Sequence, residues 1–380
     1  MELMSLANSK ILVTGSKGFI GKNLLLKLAE LGCEEIFTFD RHDSIDILEA
    51  LVSGSDIIFH LAGENRPTDP KDFNRVNVGL TRKICEIVKN QTEEKRRKIN
   101  LVHLSSKQYN SDNEYGRSKM AGEKLVENLA NETGACATIF RLPGVFGKWA
   151  KPNYNSVVAT FCHNVARGIP IKIQDPSKDL SLVYIDDTID ALLASAMDIT
   201  KGVKLGKVDN IYNISVGQLA KKILFFSDVR KNLIVPKVGT GIDRALYSTY
   251  LSYVPKECFK YSIPSHDDAR GSFIEMVKTK DSGQFSFFTA HPGVCRGGHY
   301  HHTKNEKFLV VKGRAQFRFR NIVTEEKIQL TTSSEFFEVV DTIPGWAHDI
   351  TNIGNETLIV MLWANEIYDQ TKPDTYYSSL

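Results

Sequence analysis

Two hydrophobic patterns follow one another along the chain. In the first part, short unbroken apolar runs recur at residues 10–14 (KILVT), 35–39, 56–62 (DIIFHLA) and 100–105 (NLVHLS). Runs this short and continuous are the form taken by strands buried on both faces of a parallel sheet. Between them apolar residues fall at helical spacing. Leu24, Leu25, Leu28 and Leu31 follow the first run, and Ile84, Ile87 and Val88 lie in a helix opened by Asn77-Val78. Strands alternating with helices predict an α/β, doubly wound parallel sheet. Residues 201–217 and 235–241 read as loop-rich, and the aromatic run 246–253 (LYSTYLSY) as a helix at a boundary. From Gly271 onward the pattern is one of short alternating stretches: 272–277, 284–289, 307–311, 315–320, 336–340 and 357–363, parted by Gly, Asn or Asp. Such closely spaced strands predict an all-β sandwich or barrel. The expected division is 1–245 for the α/β part and 246–380 for the β part.

Composition narrows the class. A chain of 380 residues is long for one core, so two domains are expected. A hydrophobic content of 42% and a charged content of 24% are ordinary for a soluble globular protein. A net charge of +3 gives no electrostatic case for nucleic acid or an anionic membrane. The basic run 95–98 (KRRK) reads as a solvated helix end. Six cysteines, widely spaced and without a C-x-x-C pair, predict free thiols in a reducing compartment. The first ten residues are too polar for a signal peptide, and no apolar run approaches the roughly 18 residues of a membrane span. A cytoplasmic protein without a membrane partner is expected.

Three stretches carry chemistry. The first strand runs into Gly15-Ser16-Lys17-Gly18-Phe19-Ile20-Gly21 and then a helix. Gly15 allows a tight turn, Gly18 lets backbone approach a pyrophosphate, and Gly21 lets the helix pack on the strand. The helix N-terminus supplies free N–H groups. The second strand ends at Asp40-Arg41. An acidic residue there suits the ribose hydroxyls of NADH, and an arginine the 2′-phosphate of NADPH, so the two neighbours point to different cofactors. Asp46-Ile47 falls where an adenine contact is expected. Then Ser106, at a strand end, precedes Tyr115-Gly116-Arg117-Ser118-Lys119. Residues i and i+4 of a helix share a face, so Tyr115 and Lys119 point together. A free tyrosine has a pKa of about 10, and a nearby ammonium favours the phenolate and brings it toward neutrality.

The third stretch, residues 293–313, reads GVCRGGHYHHTKNEKFLVVKG. His299 and His301 alternate on a predicted strand and point to one side. Glu306 follows a turn at 303–305, and a later strand-like stretch, 336–340, leads through 341–345 to His348. Three imidazoles and a carboxylate suit a divalent transition metal, zinc among others.

The sequence resembles known families in both parts. Thr14–Gly21, Asn77-Val78, Ser106, Tyr115 and Lys119 match motifs of the extended short-chain dehydrogenase/reductase family, as do 141–147 (RLPGVFG) and 183–187 (VYIDD), over roughly residues 10 to 245. The resemblance implies Ser106, Tyr115 and Lys119 as the catalytic triad. It implies cofactor contacts from Gly15, Gly18, Phe19, Ile20, Gly21, Asp40, Arg41, Leu61, Ala62, Gly63, Asn77, Tyr115, Lys119 and Pro143. It also implies a nucleoside diphosphate sugar bound along 148–170, with Lys151, Asn153 and Asn155 among the contacts and Trp149 and Tyr154 available for stacking. Gly293, His299, His301, Glu306, Gly313 and His348 resemble the two-part cupin signature, which implies a metal in the mouth of a β-barrel. The family spaces its Pro-x-Gly, whereas here Pro344 and Gly345 are adjacent. Arg270-Gly271-Ser272-Phe273-x-Glu275 resembles the first strand of cupins that epimerise keto-deoxysugar nucleotides.

The order of the two parts, with 147–149, 151–157, 246–253, 301–311 and 373–376, resembles the bifunctional enzymes of bacterial capsule and O-antigen synthesis. That resemblance implies two steps on a UDP-linked 2-acetamido-2,6-dideoxy-4-ketohexose: C3 epimerisation in the cupin part, then C4 reduction with NADPH, towards UDP-N-acetyl-L-fucosamine. Asp40 keeps NADH open beside NADPH. Tyr300, His302 and Lys304 lie near the ligand run as candidate bases. The competing reading keeps the reductase and makes the cupin a zinc-stabilised dimerisation module. A homodimer is expected in either case.

Overall fold

The computed structural model describes residues 6–95, 98–263, 266–268, 271–273, 277–279, 283–366 and 371–380. By proximity of Cα atoms these form two compact units, residues 1–145 with 181–213, and residues 146–180 with 214–380.

The first unit is built on a six-stranded parallel sheet. Its strands are β1 (Ile11–Thr14), β2 (Ile36–Phe39), β3 (Ile57–His60), β4 (Asn100–Ser106), β5 (Cys136–Leu142) and β6 (Gly202–Gly206), in the spatial order β2-β1-β3-β4-β5-β6. The strand order turns back between β1 and β3, the place where open parallel sheets bind ligands beyond their C-terminal strand ends. Helices α1 (Phe19–Glu30), α2 (Leu48–Gly54), α3 (Thr81–Lys95) and α4 (Glu114–Thr133) connect the strands. Side chains of α2, α3 and α4 close one apolar core over the sheet, with Leu48, Val52, Ile84, Val88 and Val126 meeting Leu12, Ile58 and Leu101. Asn113 caps α4 by accepting from the Gly116 N–H at 2.8 Å.

Two expectations change here. Asn77 does not open a helix; it lies inside a π-helical stretch, Phe73–Leu80, that runs directly into α3. Residues 201–217 are not loop throughout, since they hold β6 and a further strand, Ile211–Ser215. β6 is an edge strand of five residues bounded by two glycines, and it alternates exposed with half-buried positions. Such a strand lacks the continuous apolar run that marks its buried neighbours.

The second unit carries two five-stranded antiparallel sheets. One has the order β7-β13-β10-β15-β8, from β7 (Lys260–Ser262), β8 (Gln284–Ala290), β10 (Glu306–Lys312), β13 (Glu338–Asp341) and β15 (Leu358–Ala364). The other has the order β12-β11-β14-β9-β16, from β9 (Cys295–Tyr300), β11 (Arg314–Asn321), β12 (Lys327–Ser333), β14 (Trp346–Asn352) and β16 (Tyr376–Tyr377). The alternating burial of β11 follows from Ala315, Phe317 and Phe319 facing the core while arginines flank them. Of the expected motif at 270–275, Arg270 and Glu275 lie outside the described residues.

Helices α5 (Val216–Asn232) and α6 (Gly241–Leu251) belong to this unit as well. Ser215 and Gln218 form a reciprocal capping box at the start of α5. The helix expected over 246–253 starts earlier, at Gly241, and ends at Leu251. A buried ionic network joins α5 to the sheet. Asp341 accepts from Lys307 Nζ at 2.7 Å and from Arg230 at 2.7 Å, and Lys307 also reaches the Tyr261 hydroxyl at 3.0 Å. Pairs buried this deeply are costly to break singly, by about 3–5 kcal/mol.

Candidate active site and candidate metal centre

The glycine turn of the first unit leaves no room for side chains. Gly15 has φ +72°, and a Cβ there would lie 2.8 Å from the Ala62 backbone. A Cβ on Gly21 would lie 2.3 Å from the Gly15 carbonyl oxygen. Backbone bonds from Leu61 N–H to the Thr14 carbonyl at 3.2 Å, and from Ala62 N–H to Thr14 Oγ1 at 3.2 Å, bring the ends of β1 and β3 together. Phe19, Ile20 and Gly21 form the first turn of α1. Asp40 faces this turn: its carboxylate accepts from Ser16 Oγ and, at 3.1 Å, from the Lys17 N–H. Arg41 pairs with Glu64, whose side chain is buried. The glycine turn, Asp40 and the 61–63 strand end thus stand as one group.

Asn77 ties the next layer. Its side chain accepts from the Glu64 N–H at 2.8 Å and donates to the Glu64 carbonyl and to Ser118 Oγ, each at 2.9 Å. A Cβ on Gly63 would fall 3.1 Å from Lys119 Nζ and 3.2 Å from Asn77 Oδ1. Lys119 is buried and donates to the Leu104 carbonyl at 3.0 Å. Burial pushes its pKa down to about 8, against the attraction of Glu123. Ser106 lies close enough to the Tyr115 phenol to favour its ionised form. Ser106 pairs across the sheet with Leu142, so Pro143, the next residue, follows directly on the strand beside it.

The expectation that Tyr115 titrates low is not met in this state. Burial raises the phenol above its ordinary value, and Ser106 only works against that rise. The physical reason is that burial disfavours the phenolate.

The metal-ligand candidates gather in the second unit. His299 Nε2 or Nδ1, His301, Glu306 and His348 offer donor atoms that all lie within 4.8 Å of one another. His299 sits on β9 opposite His348 on β14, His301 just past β9, and Glu306 opens β10 in the other sheet. A register shift between Gly297 and His299 turns the end of β9. Glu306 Oε2 lies 3.2 Å from His301 Nε2 and 3.4 Å from His348 Nε2. The outer ring nitrogens face carbonyl oxygens: His301 Nδ1 that of Asp374 at 2.5 Å, His348 Nδ1 that of Trp346 at 3.3 Å. That arrangement turns both Nε2 atoms inward, toward Glu306 and the other donors.

Protonation agrees with it. Burial, with His348 and His301 alongside, holds His299 down at about 3, and burial lowers His348. Burial opposes the charge of Glu306, yet His301, His348 and Lys304 hold its carboxyl well below the ordinary range. Three imidazoles and one carboxylate around a common point, with the His348 Nε2 buried and unbonded, fit a divalent metal. A cavity of about 210 Å³ opens beside His299, Glu306 and His348, with Phe288, Phe308 and Arg296 in its wall. Of the candidate bases, Lys304 lies 3.3 Å from Glu306, while Tyr300 and His302 both pack on Tyr376.

Gly345 answers the unusual Pro-Gly spacing. It has φ +78°, its N–H donates to the His301 carbonyl at 3.0 Å, and the Trp149 indole lies against it. Sequence reasoning missed Glu64, Ser118 and the buried His60, which bridges Thr14 Oγ1 at 2.7 Å and Thr81 Oγ1 at 2.8 Å. It named 373–376 as a shared stretch but gave Asp374 no role. Their partners lie far along the chain, so nothing local shows what these side chains bond to.

Residues 11–215 match the model of the NAD dependent epimerase/dehydratase family, and residues 266–376 that of the polysaccharide biosynthesis C-terminal domain. Over 373 residues the chain is 52% identical to the UDP-2-acetamido-2,6-beta-L-arabino-hexul-4-ose reductase of Pseudomonas aeruginosa, covering 98% of this chain and 99% of that one. The crystal structure of capsular polysaccharide assembling protein CapF from Staphylococcus aureus is 39% identical, with a TM-score of 0.66, over 98% of this chain and 100% of that one. The Bordetella bronchiseptica enzyme WbmF in complex with NAD+ shares the fold over 59% of this chain and 79% of that one, at 23% identity and a TM-score of 0.52.

Proposed function

This chain belongs to the NAD dependent epimerase/dehydratase family, and from that premise we propose that it is a bifunctional sugar-nucleotide enzyme. Its substrate is a UDP-linked 2-acetamido-2,6-dideoxy-4-ketohexose. The second part epimerises C3 and the first part reduces C4, towards UDP-N-acetyl-L-fucosamine for capsule or O-antigen. The observation that carries the reductase half is Lys119 buried one helical turn beyond Tyr115, against Gly63 and Asn77, with Ser106 beside the Tyr115 phenol. The 52% identical relative, a reductase of a UDP-linked hexul-4-ose over nearly its whole length, supports the substrate class.

The nicotinamide supplies the hydride for C4. Ser106 holds the ketone oxygen by a hydrogen bond, and Tyr115 gives that oxygen its proton. A phenol kept protonated by burial is the right form for an acid in reduction. Lys119, which donates to the Leu104 carbonyl, would hold the nicotinamide ribose. NADPH is the proposed cofactor, with NADH as the alternative. Arg41, paired with Glu64, would exchange that partner for a 2′-phosphate, and Asp40 is already engaged with Ser16 and Lys17.

Epimerisation comes first, because only while C4 is a ketone is the C3 proton acidic. A base takes that proton and it returns on the opposite face. His299, His301, Glu306 and His348 would hold zinc or another divalent metal, which supplies Lewis-acid polarisation of the ketone. The cavity beside the ligands supports a substrate reaching them. A cupin barrel is the proposed form of the two antiparallel sheets. The division 1–245 and 246–380 is proposed as the division by ancestry, and a cytoplasmic homodimer as the working form. No helix among the described residues is long and apolar enough to cross a membrane.

One observation favours a second reading. Four protein donors suit a closed structural zinc site, so the second part could serve dimerisation alone. Proton NMR of the ketosugar nucleotide in D₂O separates the two. Deuterium entering at C3 before any cofactor is added supports the epimerase, and loss of the ketone after NADPH supports the reductase. Reduction without C3 exchange leaves the zinc structural. Neither event with metal-loaded protein overturns the proposed substrate.

A further inference from the structure

Residues 371–380 lie some seventy positions from the first two metal-ligand candidates, yet they grip both. Strand β16 pairs with β9, with His299 opposite Tyr377 and Tyr300 opposite Tyr376. The Ser378 N–H donates to the Gly298 carbonyl at 2.8 Å. Asp374 makes the densest contact. Its carbonyl oxygen accepts from His301 Nδ1 at 2.5 Å. Its carboxylate accepts from three successive backbone N–H groups, His302 at 2.9 Å, Thr303 at 2.6 Å and Lys304 at 2.6 Å, and from Thr303 Oγ1 at 2.9 Å. Tyr376 adds a stacked contact with Tyr300 and an edge contact with His302.

We infer that Asp374 is a positioning residue for the metal centre and that residues 371–380 act as a clasp on its ligands. The inference rests on the metal reading above. The physics has two parts. A carbonyl on Nδ1 fixes the His301 tautomer and the ring's direction, so that Nε2 faces the other donors. A carboxylate that takes three consecutive amides fixes the backbone between His301 and Glu306, two ligands five residues apart. Both are then ordered before a metal arrives, and binding need not order them. One residue thereby sets the ring of one ligand and the chain leading to the next.

The test uses full-length wild type and Asp374→Asn, loaded with zinc and challenged with a colorimetric chelator, with circular dichroism to check folding. The clasp predicts zinc release about 10- to 100-fold faster from the folded variant, as outer-shell losses generally produce. It also predicts a changed visible spectrum when cobalt(II) replaces zinc, which a defect elsewhere in the fold would leave alone. Equal release rates and an unchanged cobalt spectrum overturn the inference while the metal reading stands. Wild type that takes up neither zinc nor cobalt overturns both. Should the variant not fold, wild type alone decides by hydrogen exchange. Coupling between clasp and metal is reciprocal, so metal must slow exchange of the 302–304 and Ser378 amides. Exchange there that ignores the metal overturns the clasp.

Discussion

The Trp149 indole lies so close to Gly345 that a Cβ on the glycine would sit 2.8 Å from the ring. Gly345 also has φ +78°, and its N–H holds the His301 carbonyl. Gly345→Ala should therefore cost twice, about 1 kcal/mol or more for the left-handed backbone and a further share for the clash. In a Trp149→Ala background only the backbone share should remain, giving a coupling within the usual 0.5–3 kcal/mol of touching residues, or about that. All three tryptophans, Trp149, Trp346 and Trp363, lie in the second unit, so indole fluorescence during urea unfolding reads that unit. Additive costs would mean the ring yields freely.

Lys119 lowers stability where it is charged. Folded, it titrates at about 8 instead of the ordinary 10.5. Below pH 8 both folded and unfolded states carry the proton, and the full burial cost is present. Between 8 and 10.5 the folded state loses its proton first, so stability rises with pH. Lys119→Met should raise stability at pH 7, by an amount on the order of 3 kcal/mol at most, with the gain shrinking toward pH 10. Thermal melts of both proteins across that range check it. A gain independent of pH would show that packing, not charge, is responsible.

Arg41 pairs with Glu64 at the end of β2, next to the Asp40 carboxylate that already serves the glycine turn. With NADPH bound, the 2′-phosphate is the better partner for the guanidinium. Arg41→Ala should weaken NADPH about tenfold, as one lost charge-assisted contact of about 1.4 kcal/mol does, and leave NADH almost unchanged. Fluorescence titration with each cofactor decides. Equal losses for both would assign Arg41 to the fold of the strand end.

The ligand cluster and the Ser106–Tyr115–Lys119 group lie in different units. Chelation of the metal should stop deuterium exchange at C3. It should leave NADPH oxidation intact when the ketosugar supplied already has its C3 inverted. Tyr115→Phe should do the reverse, keeping C3 exchange and losing about 100-fold or more in reduction. If chelation halts both reactions equally, the metal sustains the whole chain's fold.

Local motifs were legible and distant clamps were not. Gly15, Gly18 and Gly21 announce a close approach because backbone geometry at each depends on its own neighbours. Tyr115 and Lys119 come together through one turn of helix, and His299 and His301 through alternate positions on and just after β9. His348 was found because its chemistry matched theirs. Asp374 escaped because its whole effect is exerted on a segment seventy residues earlier, and an aspartate before Thr375-Tyr376 looks like any polar turn. Spacing shows that an ammonium is near Tyr115, but not how deeply the phenol is buried, and burial decides its pKa. β6 was missed because an edge strand needs only one buried side.

The closing strand of the first unit is made late. Cys136 of β5 pairs with Gly202 of β6, and residues 146–180 of the other unit are synthesised in between. At translation rates of about 5–20 residues per second, the outer edge of β5 waits roughly 3 to 13 seconds for its partner. An unpaired edge is a template for strands of neighbouring nascent chains. Crowded polysomes, strong overexpression or slow codons between 143 and 206 should all convert that wait into insoluble protein, while cooler growth with fewer transcripts should recover it.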